Sequence, residues 1–136
     1  MTRDKIRIGV LISGSGTNLQ AIIDRCEAGD IDGSVVCVIS NKATAFGLER
    51  AARHGIPAHH LDHRSYADRT AYDSALVEIL REHSVDLVVL AGFMRIVTPT
   101  LLKAFPNRVM NIHPALLPSF PGLDAQRQAL EYGVKV

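Results

Sequence analysis

A chain of 136 residues, 47% hydrophobic, is long enough to bury one true core and too short for two domains. Its 15 Lys and Arg are scattered among 14 Asp and Glu for a net charge of +1, which excludes a basic stripe and leaves nucleic acid an unexpected partner. Two isolated cysteines, Cys26 and Cys37, lack CxxC or Cys/His ligand spacing, which argues against a disulfide framework and a zinc site and for a cytoplasmic setting. No apolar run approaches the roughly 18 residues of a membrane span, and the polar, charged opening from Met1 to Lys5 is not a signal peptide, so no membrane partner is expected.

The first element is the β-branched run Ile6 to Ile12, with Arg7 as its one charge, ending abruptly in Ser13-Gly14-Ser15-Gly16-Thr17-Asn18. Leu19, Ile22 and Ile23 then recur at helical spacing through about Cys26, with Gly29 as a stop, so the glycine turn opens a helix. Backbone N–H groups of such a turn, joined to a helix N-terminus, suit an anion. The dinucleotide fingerprint wants a third glycine where Leu19 stands, and a Walker loop wants Gly-Lys-Ser/Thr, which is absent. A monophosphate site is the functional reading and a purely structural turn the plain one.

Ser34 to Ser40 reads as a second buried strand, broken by Asn41-Lys42-Ala43, and Phe46, Leu48, Ala51 and Ala52 set a short helix ending at Gly55. Ile56 to Leu61 reads as a weaker strand, interrupted by Pro57 and therefore an edge. His59, His60 and His63 fall in that strand and the polar loop Asp62 to Tyr66 without a carboxylate at ligand spacing, so no metal is expected there. Tyr72, Leu76, Ile79 and Leu80 mark an amphipathic helix from Ala67 to His83. Arg69 in its first turn is either a solvated charge or an anion contact.

Val85 to Phe93 is the most apolar stretch and reads as a central parallel strand buried on both faces. The loop after it, Gly92 to Val97, carries Phe93, Met94, Ile96 and Val97. These side chains either wall a flat apolar ligand or belong to the core, and the pattern alone favours core. Thr98-Pro99 caps a short helix to Phe105, and Pro106 closes it.

The last strand, Val109 to His113, hands Asn111 and His113 to a loop stiffened by Pro114, Pro118 and Pro121. Two residues apart, both side chains fall on one face of an extended segment. An amide donor and a titratable ring then converge on one reacting atom, an arrangement suited to acyl-type transfer. A structural His at a strand end and an Asn capping a turn are the plain alternatives. Strand and helix in alternation imply an α/β, doubly wound, parallel sheet of five strands with right-handed crossovers, whose ligands bind outside the carboxyl ends of the strands. The glycine turn, the Gly92 to Val97 loop and Asn111 to His113 all follow strand ends.

Over essentially its whole length the chain resembles the folate-dependent phosphoribosylglycinamide formyltransferases. The resemblance is carried by Ser13-Gly14-Ser15-Gly16-Thr17-Asn18-Leu19, Ser40-Asn41-Lys42, Ala91-Gly92-Phe93-Met94-Arg95 and Asn111-Ile112-His113-Pro114 through Pro121-Gly122. It implies a Rossmann-like fold and transfer of formyl from the co-substrate 10-formyltetrahydrofolate to the amine of 5'-phosphoribosylglycinamide in purine biosynthesis, without a metal. It further implies that Gly16, Thr17 and Asn18 hold the ribosyl phosphate. Arg69, Met94, Arg95, Ile96, Val97 and Asn111 would contact folate, His113 would be the catalytic imidazole, and Asn111 would support the formyl oxygen.

The family's catalytic Asp lies on a loop after the next strand, beyond Val136, so residues 1–136 are expected to be one formyltransferase domain lacking its C-terminal portion and of doubtful activity alone. Asp124 is not expected to replace that Asp. A phosphate-binding fragment without catalysis is the alternative from a different class. Methionyl-tRNA formyltransferases and formyltetrahydrofolate hydrolases share the amide-His-proline arrangement, but the glycine turn sets them apart. The Val109 to His113 strand should present an unpaired edge, so the isolated chain is expected to aggregate or form a homodimer.

Overall fold

The computed structural model describes residues 5–112. His113, Asp124 and the segment Pro114 to Gly122 lie outside the described residues.

Elements alternate as the apolar periodicity predicts: β1 (Ile6–Ile12), α1 (Thr17–Ala28), β2 (Gly33–Ser40), α2 (Phe46–Arg53), β3 (Ala58–His60), α3 (Arg69–Glu82), β4 (Leu87–Ala91), α4 (Pro99–Ala104) and β5 (Val109–Ile112). All pairings are parallel, and the sheet order is β3-β2-β1-β4-β5. The chain thus winds outward from β1 to one edge, crosses back through α3, and winds to the other edge. The strand order reverses between β1 and β4, and that is where a doubly wound sheet opens a crevice.

Side-chain alternation divides the interior into two layers. Ile8, Val10 and Ile12 of β1 pack with Leu19, Ile22 and Ile23 of α1 on one face. Leu11, Val88 and Leu90 pack with Leu76 and Leu80 of α3 and Leu101 of α4 on the other. A sheet covered on both faces needs strands apolar throughout, and all five residues of β4 are buried.

Several boundaries are tighter than the sequence suggests. The Ile56 to Leu61 run pairs only over Ala58–His60, because Pro57 offers no N–H; its carbonyl accepts from Val38 instead. It is an edge strand, as the proline implies. The helix read from Ala67 begins at Arg69, where the Asp68 carboxylate caps it by accepting the Ala71 N–H at 2.8 Å. The stretch read as one long strand from Val85 to Phe93 is strand only over Leu87–Ala91, since Gly92 turns the chain at φ 74°. β4 stands beside the central strand β1.

Candidate functional site

Parallel strands share one carboxyl rim, where two described loops and the end of β5 come together. The first follows β1. Gly16 sits in the left-handed region at φ 77° as the N-cap of α1, and its carbonyl accepts the Gln20 N–H at 2.8 Å. The N–H groups of the first turn have no partner within the helix and face the rim, and that turn holds no acidic residue to compete for a guest anion. Thr17 is exposed and Asn18 half-buried.

The turn is held from below. Gly47 of α2 donates its N–H to the Gly14 carbonyl at 3.2 Å, and Arg50 donates Nε–H to the Ser15 carbonyl at 2.8 Å. A Cβ on Gly16 would stand 2.6 Å from the Gly47 Cα, so the two backbones touch where neither can carry a side chain. Arg50 and Arg53 also flank the half-exposed Phe46 ring at 5.0 and 5.2 Å; Arg50 is the guanidinium held against the turn, while Arg53 pairs with Glu49 at 3.4 Å.

The second loop follows β4. Phe93 and Val97 pack onto the core while Met94 and Ile96 are 75% and 66% exposed. The apolar set, for which the pattern favours core over a ligand wall, divides by alternation into two anchors and two exposed side chains. Arg95, between them, lays its guanidinium 4.8 Å from the Tyr72 ring centroid, and its buried Nε has no hydrogen-bond partner among the described residues. Burial pushes the Tyr72 phenol up to about 12, with Arg95 pulling the other way, so it stays a donor, giving its hydrogen to the Leu61 carbonyl at 2.7 Å. Arg69 lies exposed one turn before Tyr72, at the rim end of α3.

The third part is the end of β5 itself. Register places Asn111 beside Leu90, itself beside Leu11, so Asn111 stands level with the end of β1, two strand spacings or about 9–10 Å away. It is exposed, whereas Val109, Met110 and Ile112 are buried. Asn111 within β5 and the Met94–Val97 loop after β4 lie on neighbouring strands toward the rim that carries Gly16, Thr17 and Asn18. His113, the remaining candidate from the sequence, falls outside the described residues.

Two groups to which the sequence reading gave no role of their own hold the loop after β4. Ser13, 4% exposed at the end of β1, donates its hydroxyl to Asn41 Oδ1 at 2.6 Å and accepts the Met94 N–H at 2.7 Å. Asp73, 2% exposed, accepts the Thr98 N–H at 2.6 Å and the Thr98 hydroxyl at 2.8 Å, closing the β4 loop onto α3. The sequence does carry a signal for Asp73, which stands on the same helical stripe as Leu76, Val77 and Leu80, where a carboxylate needs a partner.

Away from the rim, His59 Nε2 meets His83 Nε2 at 2.9 Å, and burial, with the His83 ring next in weight, lowers the His59 pKa. No group of three or more His, Cys, Asp or Glu among the described residues is placed to hold a metal. A groove of about 320 Å³ at the amino end of the sheet is lined by Lys5, Glu27, His54 and Gly55 and does not open onto the rim. Among the described residues no helix is long and apolar enough to cross a membrane.

Known proteins share the sequence and fold of this chain. A phosphoribosylglycinamide formyltransferase of Escherichia coli K12 is 52% identical over 128 residues, covering 94% of this chain and 60% of its own length. The human trifunctional purine biosynthetic protein adenosine-3 is 47% identical over 134 residues, 98% of this chain and 13% of that protein. The chain thus spans about three fifths of the bacterial relative. Among solved structures, glycinamide ribonucleotide transformylase 1 from Symbiobacterium toebii superimposes with a TM-score of 0.81 at 63% identity, over 98% of this chain and 63% of that one. The Geobacillus kaustophilus transformylase gives 0.78 at 42% identity, over 96% and 69%. The family model described as formyl transferase matches residues 6–136, and the chain belongs to the formyl transferase family.

Proposed function

We propose that this chain carries the phosphate-binding and formyl-handling part of an enzyme that moves a formyl group from 10-formyltetrahydrofolate to the amine of 5'-phosphoribosylglycinamide. The observation that carries the reading is the convergence of the Gly16 turn, the Met94 to Val97 loop and Asn111 on one rim at the reversal of strand order, in a chain whose relatives are named for that substrate.

The rim suits both substrates. The free N–H groups opening α1, with Thr17 and Asn18 beside them, offer donors to a ribosyl phosphate. Met94 and Ile96 present apolar surface to a flat ring, and Arg95 and Arg69 supply donors and charge to the polar end of a folate. In the proposed reaction the glycinamide amine attacks the formyl carbon and the carbonyl oxygen gains negative charge, which the Asn111 amide stabilises. His113 takes the proton that the attacking amine loses and passes it to the folate nitrogen as its bond to the formyl carbon breaks, releasing tetrahydrofolate and the N-formylated glycinamide. No metal takes part in these steps. The catalytic carboxylate that the resemblance places beyond Val136 would orient His113, and the chain is read as one cytoplasmic domain able to pair with a second copy.

Replacing His113 with Ala in the complete enzyme tests the assignment. Turnover should fall about 10²- to 10⁴-fold, the range for loss of a general acid or base, while affinity for inorganic phosphate changes less than about twofold. Turnover near that of the unaltered protein would overturn it.

A further inference from the structure

We infer that Ser13 is a positioning residue for the folate-side loop, acting through its hydroxyl and independently of the anion turn. The inference rests on the formyltransferase reading of the rim.

A hydroxyl has one proton to give and two lone pairs to offer. In Ser13 the proton goes to Asn41 Oδ1, on the loop after β2, which fixes the rotor and aims a lone pair at the Met94 N–H. Both side chains are almost wholly buried, at 4% and 6% exposure, so water does not substitute for either bond. One oxygen therefore joins the ends of β1, β2 and β4 across the point where strand order reverses.

The consequence falls on Met94 and Ile96. Phe93 and Val97 fix the base of their loop in the core, and the Ser13 bond fixes the backbone of the first exposed residue between those anchors. Without the hydroxyl, Met94 N–H is left unpaired and the loop has to move outward to find water. The anion turn is secured by other contacts: the Gly47 N–H, the Arg50 guanidinium and the close packing of Gly16 on Gly47. None of these passes through the Ser13 side chain. Ser13 should therefore govern one substrate's site and spare the other.

The test compares Ser13→Ala and Ser13→Thr with the unaltered full chain, titrating folic acid and inorganic phosphate separately and following exchange of the Met94 amide. Ser13→Ala should weaken folic acid about tenfold, leave phosphate within about twofold and speed Met94 exchange, while Ser13→Thr should restore all three toward normal. Asn41→Ala, which frees the rotor without removing the hydroxyl, should shift folic acid in the same direction by less. Unchanged folic acid affinity in Ser13→Ala, or equal loss for both ligands, overturns the inference. A chain that binds phosphate but no folic acid even unaltered would instead defeat the formyltransferase reading on which it stands.

Discussion

At the scale of single residues, the rim depends on where a side chain is forbidden. Gly16 combines a left-handed φ of 77° with backbone contact to Gly47, whereas a Cβ on Gly14 would meet nothing within 4 Å. Gly16→Ala should therefore cost at least about 2 kcal/mol, from the left-handed penalty and the overlap together, and Gly14→Ala should stay within about 0.5 kcal/mol. Urea midpoints read both, and equal effects would mean the turn is not pinned against α2. The local run Ser-Gly-Ser-Gly-Thr-Asn made the turn legible, because glycine spacing before a helical period is a short-range signal. The part played by Gly47 was not legible. Within the sequence it is one small residue in a short helix, and its value comes from a partner 31 positions earlier that only the fold brings near. Ser13 is the same case, since a serine at a strand end says nothing until the loops after β2 and β4 arrive beside it.

At the scale of elements, the informative segment is the loop after β4. Phe93, Met94, Ile96 and Val97 are all apolar, and the pattern favours core over a ligand wall without dividing them. Alternation in an extended segment divides them, sending Phe93 and Val97 inward and Met94 and Ile96 outward. What keeps the outward pair from collapsing is the bond at each end of the loop, and Asp73 is the C-terminal one. Its carboxylate holds the Thr98 N–H and hydroxyl, and Thr98 Oγ in turn accepts the Thr100 N–H at 3.3 Å to start α4. Asp73→Ala strands those donors in a part-buried site and should cost about 1–3 kcal/mol, while Asp73→Asn, which keeps an acceptor oxygen, should cost less. Denaturant unfolding of both, with a double-mutant cycle to Thr98→Ala, measures the coupling; additive effects would show that the contact does not bear on the loop.

At the scale of the whole molecule, the parallel doubly wound class was legible because each apolar run was followed by a helical period, and a parallel pair needs a crossover. Strand order was not, because a sequence of alternating elements does not say which strand the chain returns to; the return past β1 through α3 is set by non-local packing of Tyr72, Leu76 and Leu80. Among the described residues that order leaves two edges with different chemistry. β3 is three residues long, follows Pro57, and exposes Ala58 and His60, features that discourage pairing with another chain. β5 is Val-Met-Asn-Ile, with no proline or charge inside it, and among the described residues it pairs with β4 alone. A backbone edge of that kind recruits a second strand wherever one can reach it, and another copy of β5 is the strand present at highest concentration. Sedimentation velocity on the 136-residue chain should therefore show association that rises with concentration. Amides of β5 should gain protection from exchange over the same range while those of β3 do not. A monomer at every concentration, or protection confined to β3, would place the sticky edge elsewhere and remove the basis for a β5-mediated dimer.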